Sequence, residues 1–139
     1  MNQASTVTRA PKLYLLTNDD EFAVLYAKLE AAFATGLIAL LQIRRKKTLQ
    51  LPDGATKLYD EALQIVRLAK TYDVPVVIND DIKLAEKLGV GVHLGQQDGD
   101  INDAKCQLAP KQIIGRTCHG DIDLVKEANS THKMTLRQY

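Results

Sequence analysis

Five short apolar runs, which alternate with segments of helical spacing, constrain the fold of this chain more than any other feature. The runs cover residues 12–17, 37–42, 74–78, 91–94 and 112–115. They are apolar throughout instead of alternating between apolar and polar, which is typical of strands buried on both faces of a parallel sheet. The segments between them supply the crossover connections that parallel strands need. The sequence therefore predicts an α/β protein.

The segments between the strands carry helix signals. In the first of them, Phe22, Leu25, Leu29 and Phe33 follow helical spacing and Gly36 ends the segment. The predicted helices cover residues 21–35, 55–72, 81–88, 102–108 and 121–129. We expect residues 1–11 to be a flexible lead-in, residues 12–129 to be a partial domain and residues 130–139 to be a divergent tail.

Charge and composition exclude some classes of protein. The 139 residues contain 18 basic and 17 acidic side chains, a net charge of +1, which argues against a dedicated nucleic-acid or membrane-surface binder. No signal peptide or membrane span is visible. The two cysteines, Cys106 and Cys118, show no metal-type spacing, and we expect them to be reduced thiols in a cytoplasmic protein.

Polar residues gather directly after each predicted strand. Two architectures place sites at that edge: an open doubly wound sheet and a (β/α)₈ barrel of the TIM type. In a barrel all five strand ends face one pocket, whereas in an open sheet only those near the switch point do. The sequence therefore favours the TIM-barrel type. A complete barrel has eight strands, so only the first five βα units are present, and we expect strands 1 and 5 to be open edges.

One cluster is basic. Gln42, Arg44 and Lys46 follow one another at every second position, which on an extended strand directs three side chains to one side. An amide, a guanidinium and an ammonium together form a suitable site for a phosphate. The alternative is that the run RRKK is a solvated basic loop.

A second cluster is acidic. Asn79 and Asp80 follow strand 3 and Asp98 follows strand 4, and Mg²⁺ commonly takes one or two carboxylates together with substrate phosphate oxygens. Alternatively, residues 79–81 cap the next helix and Asp98 belongs to a turn.

The end of strand 5 adds a hydroxyl. Thr117 is placed to donate to a phosphate, or to bond locally within a turn. Cys118 and His119 are adjacent, a poor arrangement for a nucleophile and its base, and His93 lies inside a strand, as a core histidine would. We assign no catalytic side chain.

The stretches LYLLTND, LLQIRRK, VPVVINDDIKLAEKLGVGVHLGQQD and IIGRTCH, within residues 12–128, closely resemble thiamine-phosphate synthase. The resemblance implies a Mg²⁺-dependent enzyme on a (β/α)₈ barrel, which joins hydroxymethylpyrimidine diphosphate to thiazole phosphate and yields thiamine phosphate and diphosphate. It also implies roles for the residues singled out above: substrate binding by Gln42, Arg44, Lys46, Asn79 and Thr117, and Mg²⁺ binding by Asp80 and Asp98.

The chain departs from this pattern at two places. Position 45 is Arg, where the resemblance implies an acidic residue, and residues 130–139 resemble nothing in the family. The half of the site that would hold thiazole phosphate is missing, so we expect little or no synthase activity from these 139 residues. The competing hypotheses are a thiazole tautomerase-like relative on the same fold and a non-catalytic phosphate-binding remnant.

Overall fold

The computed structural model describes residues 12–95, 104, 108, 112–117 and 135–138. Its elements, in chain order, are β1 (Leu13–Leu16), α1 (Phe22–Ala34), β2 (Ile38–Ile43), α2 (Lys46–Leu49), α3 (Gly54–Thr71), β3 (Val76–Asn79), α4 (Ile82–Leu88), β4 (Gly91–Leu94), β5 (Ile114–Thr117) and β6 (Thr135–Gln138).

The sheet is parallel and its strands lie in the order of the sequence, from β1 to β6. A doubly wound sheet reverses its strand order at a switch point, whereas a barrel wall adds each strand beside the previous one. The observed order therefore decides between the two architectures, and the prediction of an α/β fold of the TIM-barrel type is confirmed.

The helices and one face of the sheet enclose the hydrophobic core. Leu25, Leu29 and Phe33 form the buried stripe of α1, and every third or fourth residue of α3 adds to the core in the same way. The strands contribute side chains that are almost completely buried: Leu41, Ile43, Ile78, Val92, Leu94 and Ile114. Each such side chain contributes about 1.5–3 kcal/mol when it leaves water, so this layer holds the strand ends in place.

The short helix α2 is a feature that the sequence patterns missed. The backbone N–H of Arg44 donates to the Thr17 hydroxyl, 2.8 Å away, and does not continue a strand ladder, so β2 ends at Ile43. The N–H of Leu49 then donates to the Arg45 carbonyl at 3.2 Å, which closes a single helical turn.

The sixth strand is a second unexpected feature. β6 lies in the segment that we predicted to be a divergent tail, and it pairs in parallel with β5 along its whole length. The prediction that strand 5 is an open edge is therefore wrong, because β6 covers it. The predicted helix 121–129 and most of the predicted helix 102–108 lie outside the described residues. None of the described helices is long and apolar enough to cross a membrane.

Candidate functional site

The candidate site lies at the carboxyl edge of the sheet. Gln42 of β2 is in register with Val77 of β3, so the next residue of β3 on the same face is Asn79. Asn79 is in turn in register with His93 of β4. The parallel register thus brings Gln42 and Asn79, two of the predicted substrate-binding residues, to one face of the sheet near its edge.

Gln42 is buried, with 2% of its surface exposed, and its Nε2 donates to the Tyr14 hydroxyl at 2.7 Å. Burial raises the pKa of Tyr14, and the hydrogen bond from Gln42 opposes that rise in pKa only in part. Tyr14 therefore stays protonated and keeps its own O–H to donate. The sequence patterns missed Tyr14, although a tyrosine within an otherwise aliphatic strand is a signal for a buried polar group.

Arg44 and Lys46 are exposed, but the extended strand geometry that was predicted for them is not observed. The extended geometry that would direct both to one side ends at Ile43, and Lys46 begins α2 instead. Among the described residues, neither side chain takes part in an ion pair or a side-chain hydrogen bond. Both cations are therefore available to an anion, and their assignment to the substrate stays a prediction.

Arg45 separates these two cations and behaves differently from both. Its side chain is only 4% exposed, and its Nε and Nη2 donate to the two carboxylate oxygens of Glu61 in α3 at 3.0 and 3.3 Å. Its Nη1 donates to the backbone carbonyls of Asn18 at 2.8 Å and Asp20 at 2.6 Å. The interpretation of RRKK as a wholly solvated loop is therefore wrong at this position.

Further bonds join the loop after β1 to the segment after β2. The Thr17 hydroxyl donates to the Arg44 carbonyl at 3.1 Å while it accepts from the Arg44 N–H. The Lys47 N–H donates to Asp19 Oδ1 at 3.2 Å. The exposed cations are thus carried by a segment that is bonded to a neighbouring loop at several points.

Asp80 has the left-handed backbone conformation, with a φ of 61°. Its Oδ1 accepts from the Gly95 N–H at 3.0 Å, its Oδ2 accepts from Asn79 Nδ2 at 3.1 Å, and its own N–H donates to the His93 carbonyl at 2.8 Å. The bonds to Gly95 and His93 join the ends of β3 and β4 through the carboxylate and the backbone of Asp80. Left-handed backbone at a non-glycine residue is unfavourable and is often found at functional sites.

A helix cap was the alternative role that the sequence offered for residues 79–81, and in the structure Asp81 provides that cap. Its Oδ1 accepts from the Leu84 N–H at 2.9 Å at the start of α4. Asp80 plays no part in that cap. The acidic cluster therefore divides into a capping residue, Asp81, and a strand-end carboxylate, Asp80.

The fit of the site to Mg²⁺ rests on Asp80 among the described residues. Its carboxylate is half-buried, held in one orientation by two donors, and made of the hard oxygen atoms that Mg²⁺ prefers. The described part of the chain contains no group of three or more His, Cys, Asp or Glu side chains suited to a metal. Asp98 lies outside the described residues, so its role as a second ligand stays a prediction.

The structure describes the remaining predicted residues only in part. Thr117 is the last residue of β5, and its side chain lies outside the described part of the structure. Cys106, Cys118 and His119 lie outside it as well. His93 is buried in β4, as expected of a core histidine, against the backbone of Gly115.

A cavity of about 530 Å³ opens at the opposite, amino edge of the sheet. Its lining is mainly apolar, with Lys70 and Asp73 as its charged residues. That end of a barrel contributes to stability, whereas substrates bind at the carboxyl edge. We therefore place the candidate site at the carboxyl edge and not at this cavity.

Comparison with known proteins shows the family and the fold of the chain. The family model for thiamine monophosphate synthase matches residues 13–134. The structure is similar to thiamine phosphate pyrophosphorylase from Pyrococcus furiosus, with a TM-score of 0.72 and 24% sequence identity over 92% of this chain and 60% of that chain. The structural likeness shows the fold, and the chain spans 60% of the length of that protein. Because the family match extends over most of the sequence, the chain belongs to the thiamine monophosphate synthase family.

Proposed function

We propose that this chain binds hydroxymethylpyrimidine diphosphate at the carboxyl edge of its sheet and takes part in its transfer to thiazole phosphate, which yields thiamine phosphate and diphosphate. The observation that carries the proposal is the exposure of Arg44 and Lys46, without ion pairs among the described residues, beside the end of β3. Ile43 is in register with Ile78, so the residues that follow each strand are neighbours.

The residues have separate roles in this proposal. Arg44 and Lys46 bind the diphosphate, and Thr117 adds a hydrogen bond to it. Gln42 and Asn79, whose amides lie on one face of the sheet, bind the pyrimidine. Asp80 and Asp98 would hold Mg²⁺, which when bound neutralises charge on the diphosphate.

The proposed reaction is dissociative, as in the family that the sequence resembles. The bond from the pyrimidine methylene to the diphosphate oxygen breaks first, and the electron pair leaves with the diphosphate. Fixed cations such as Arg44 and Lys46 stabilise the negative charge that develops there. The thiazole nitrogen then attacks the pyrimidine cation. This chemistry needs no protein nucleophile, in keeping with a site made of cations, amides and carboxylates.

Binding and turnover are best tested separately, because the chain spans 60% of the length of the similar structure. Isothermal titration calorimetry with hydroxymethylpyrimidine diphosphate, with and without Mg²⁺, measures binding by the chain itself. We expect Mg²⁺-dependent binding that weakens about tenfold to a hundredfold in Arg44→Ala, since a charge-assisted hydrogen bond contributes about 1.5–3 kcal/mol.

Asp80→Asn and Asp81→Asn form a matched pair for the metal. Each removes one negative charge and retains the size of the side chain, but only Asp80 lies at the strand end, while Asn is also a good helix cap at position 81. We expect Asp80→Asn to lose the Mg²⁺ dependence and Asp81→Asn to keep it. Binding that is equally impaired in both variants, or absent in the unmodified chain, contradicts the proposed site.

A further inference from the structure

We propose that Arg45 is a positioning residue of the diphosphate site, which sets the affinity for the anion by fixing the segment between Arg44 and Lys46 without contacting the ligand. The inference deepens the proposed function and rests on it. Its structural basis is the contrast within three consecutive residues, in which two exposed cations flank one that is buried.

The guanidinium of Arg45 is committed to other protein groups. Four donated hydrogen bonds reach three acceptor groups on two other segments: the Glu61 carboxylate, the Asn18 carbonyl and the Asp20 carbonyl. The Glu61 carboxylate, 17% exposed, also accepts from the Thr48 hydroxyl at 3.3 Å. Arg45 therefore has little capacity left for a ligand, and its action on the site must pass through its neighbours.

The connections of Arg45 explain why its neighbours depend on it. It joins the beginning of α2 to α3 and to the loop after β1, while the backbone of Arg44 is bonded on both sides to Thr17. Without Arg45, two backbone carbonyls lose this donor and the Glu61 carboxylate keeps the Thr48 hydroxyl as its donor among the described residues. The segment then keeps fewer attachments to α3 and to the loop after β1. The flanking cations then have to be ordered by the ligand, and such ordering reduces affinity.

Lysine cannot replace this arginine. A guanidinium presents donors in a planar fork that spans a carboxylate and two carbonyls at once, whereas an ammonium is a point charge with three donors. Arg45→Lys retains the charge and loses the fork, and Arg45→Met removes the charge with similar bulk. We expect both variants to bind inorganic diphosphate with Mg²⁺ about tenfold to a hundredfold more weakly, because the ligand must then order both flanking cations at the expense of binding free energy.

The control is Lys70→Met, which also removes one positive charge but lies at the amino edge, beside the cavity there. Calorimetry is carried out at a temperature at which circular dichroism shows each variant to be folded. If Arg45→Met does not fold, Arg45→Lys and Glu61→Gln replace it. Arg45 variants that bind diphosphate as tightly as the unmodified chain, or a Lys70→Met variant that loses as much affinity, overturn the proposal.

A double-mutant cycle separates positioning from a general loss of stability. If Arg45 acts through Arg44, Arg45→Lys reduces affinity much less in a chain that already carries Arg44→Ala, because residues that act together are not additive. Losses that are additive both in this background and in a chain that carries Lys46→Ala overturn the proposal. If the unmodified chain binds no diphosphate, the proposed function fails, and hydrogen exchange then tests Arg45 alone. Faster amide exchange over residues 17–20 and 44–47 in Arg45→Lys, but not in Lys70→Met, supports its positioning role, and unchanged exchange refutes it.

Discussion

Replacement of Asp80 by Asn, Gly and Ala separates the three properties that this residue combines. It has a left-handed backbone, it accepts hydrogen bonds from Gly95 and Asn79, and it carries a negative charge at the strand end. Asn tolerates the left-handed conformation and its Oδ1 can accept from the Gly95 N–H, but its Nδ2 cannot accept from the Asn79 amide. Gly keeps only the conformational tolerance, and Ala keeps neither property.

The contacts of Asp80 give the expected size of each effect. The bond from the Gly95 N–H is charge-assisted, about 1.5–3 kcal/mol, and we take the lower end because Asp80 is half-buried. When the bond from Asn79 is included, the Gly variant should lose about 2 kcal/mol of the free energy of unfolding. Ala adds roughly 1 kcal/mol for a Cβ in the left-handed region, about 3 kcal/mol in all. The Asn variant should lose less than about 1 kcal/mol of the free energy of unfolding.

Urea denaturation followed by circular dichroism gives the free energy of unfolding of each variant, provided that the slope with urea is unchanged. The expected order of stability is Asp80, then Asn, Gly and Ala. An Ala variant as stable as the Asn variant would show that neither the bond from the Gly95 N–H nor the left-handed backbone contributes to the difference. A Gly variant less stable than the Ala variant would refute the assignment of backbone strain at this position.

Two further predictions concern the interior of the sheet. Gly115→Ala places a Cβ 2.7 Å from His93 Nδ1, and we expect it to destabilise the chain by about 1–3 kcal/mol in urea denaturation, with less effect in a His93→Ala background. The second prediction concerns Tyr14, whose pKa is raised above the ordinary value of 10.0 by burial. A raised pKa in the folded state stabilises that state at pH values below the pKa of the unfolded chain. This contribution to stability is lost as the pH rises through the pKa of the folded state. We expect Tyr14→Phe to be less stable than the unmodified chain at neutral pH, because the buried Gln42 amide loses its acceptor. The stability difference between the two chains should narrow above pH 10.0, where the unmodified chain loses its contribution from Tyr14. A difference that does not narrow contradicts this explanation.

The main elements of the fold could be predicted because hydrophobic periodicity reports local structure directly. Uniform apolar runs identified β1 to β5, and helical spacing identified α1, α3 and α4. The helix α2 could not be predicted in this way, because it is a single turn whose sequence, KKTL, has no apolar repeat. It forms where the backbone after β2 is diverted by Thr17, a residue distant in the sequence.

The position of the candidate residues at one edge of the sheet was also predictable, whereas their assignment to a substrate site stays a prediction. Sequence position placed Gln42, Arg44, Asn79 and Asp80 at the ends of strands, and parallel strands end at one edge. Only the structure distinguished the capping residue Asp81 from the strand-end carboxylate Asp80. Both are aspartates in one short run, and their backbone conformations and hydrogen-bond partners decide between the two roles.

The sequence by itself determined the α/β class, the strand ends that carry polar groups and the family to which the chain belongs, because these depend on residue type and order along the chain. The tertiary structure decided the order of strands in the sheet and the separation of RRKK into exposed cations and a buried arginine. Burial of Arg45 depends on Glu61 and on two carbonyls of the loop after β1, which only folding brings together. Charge is encoded in the residue, but solvent exposure is decided by its distant neighbours.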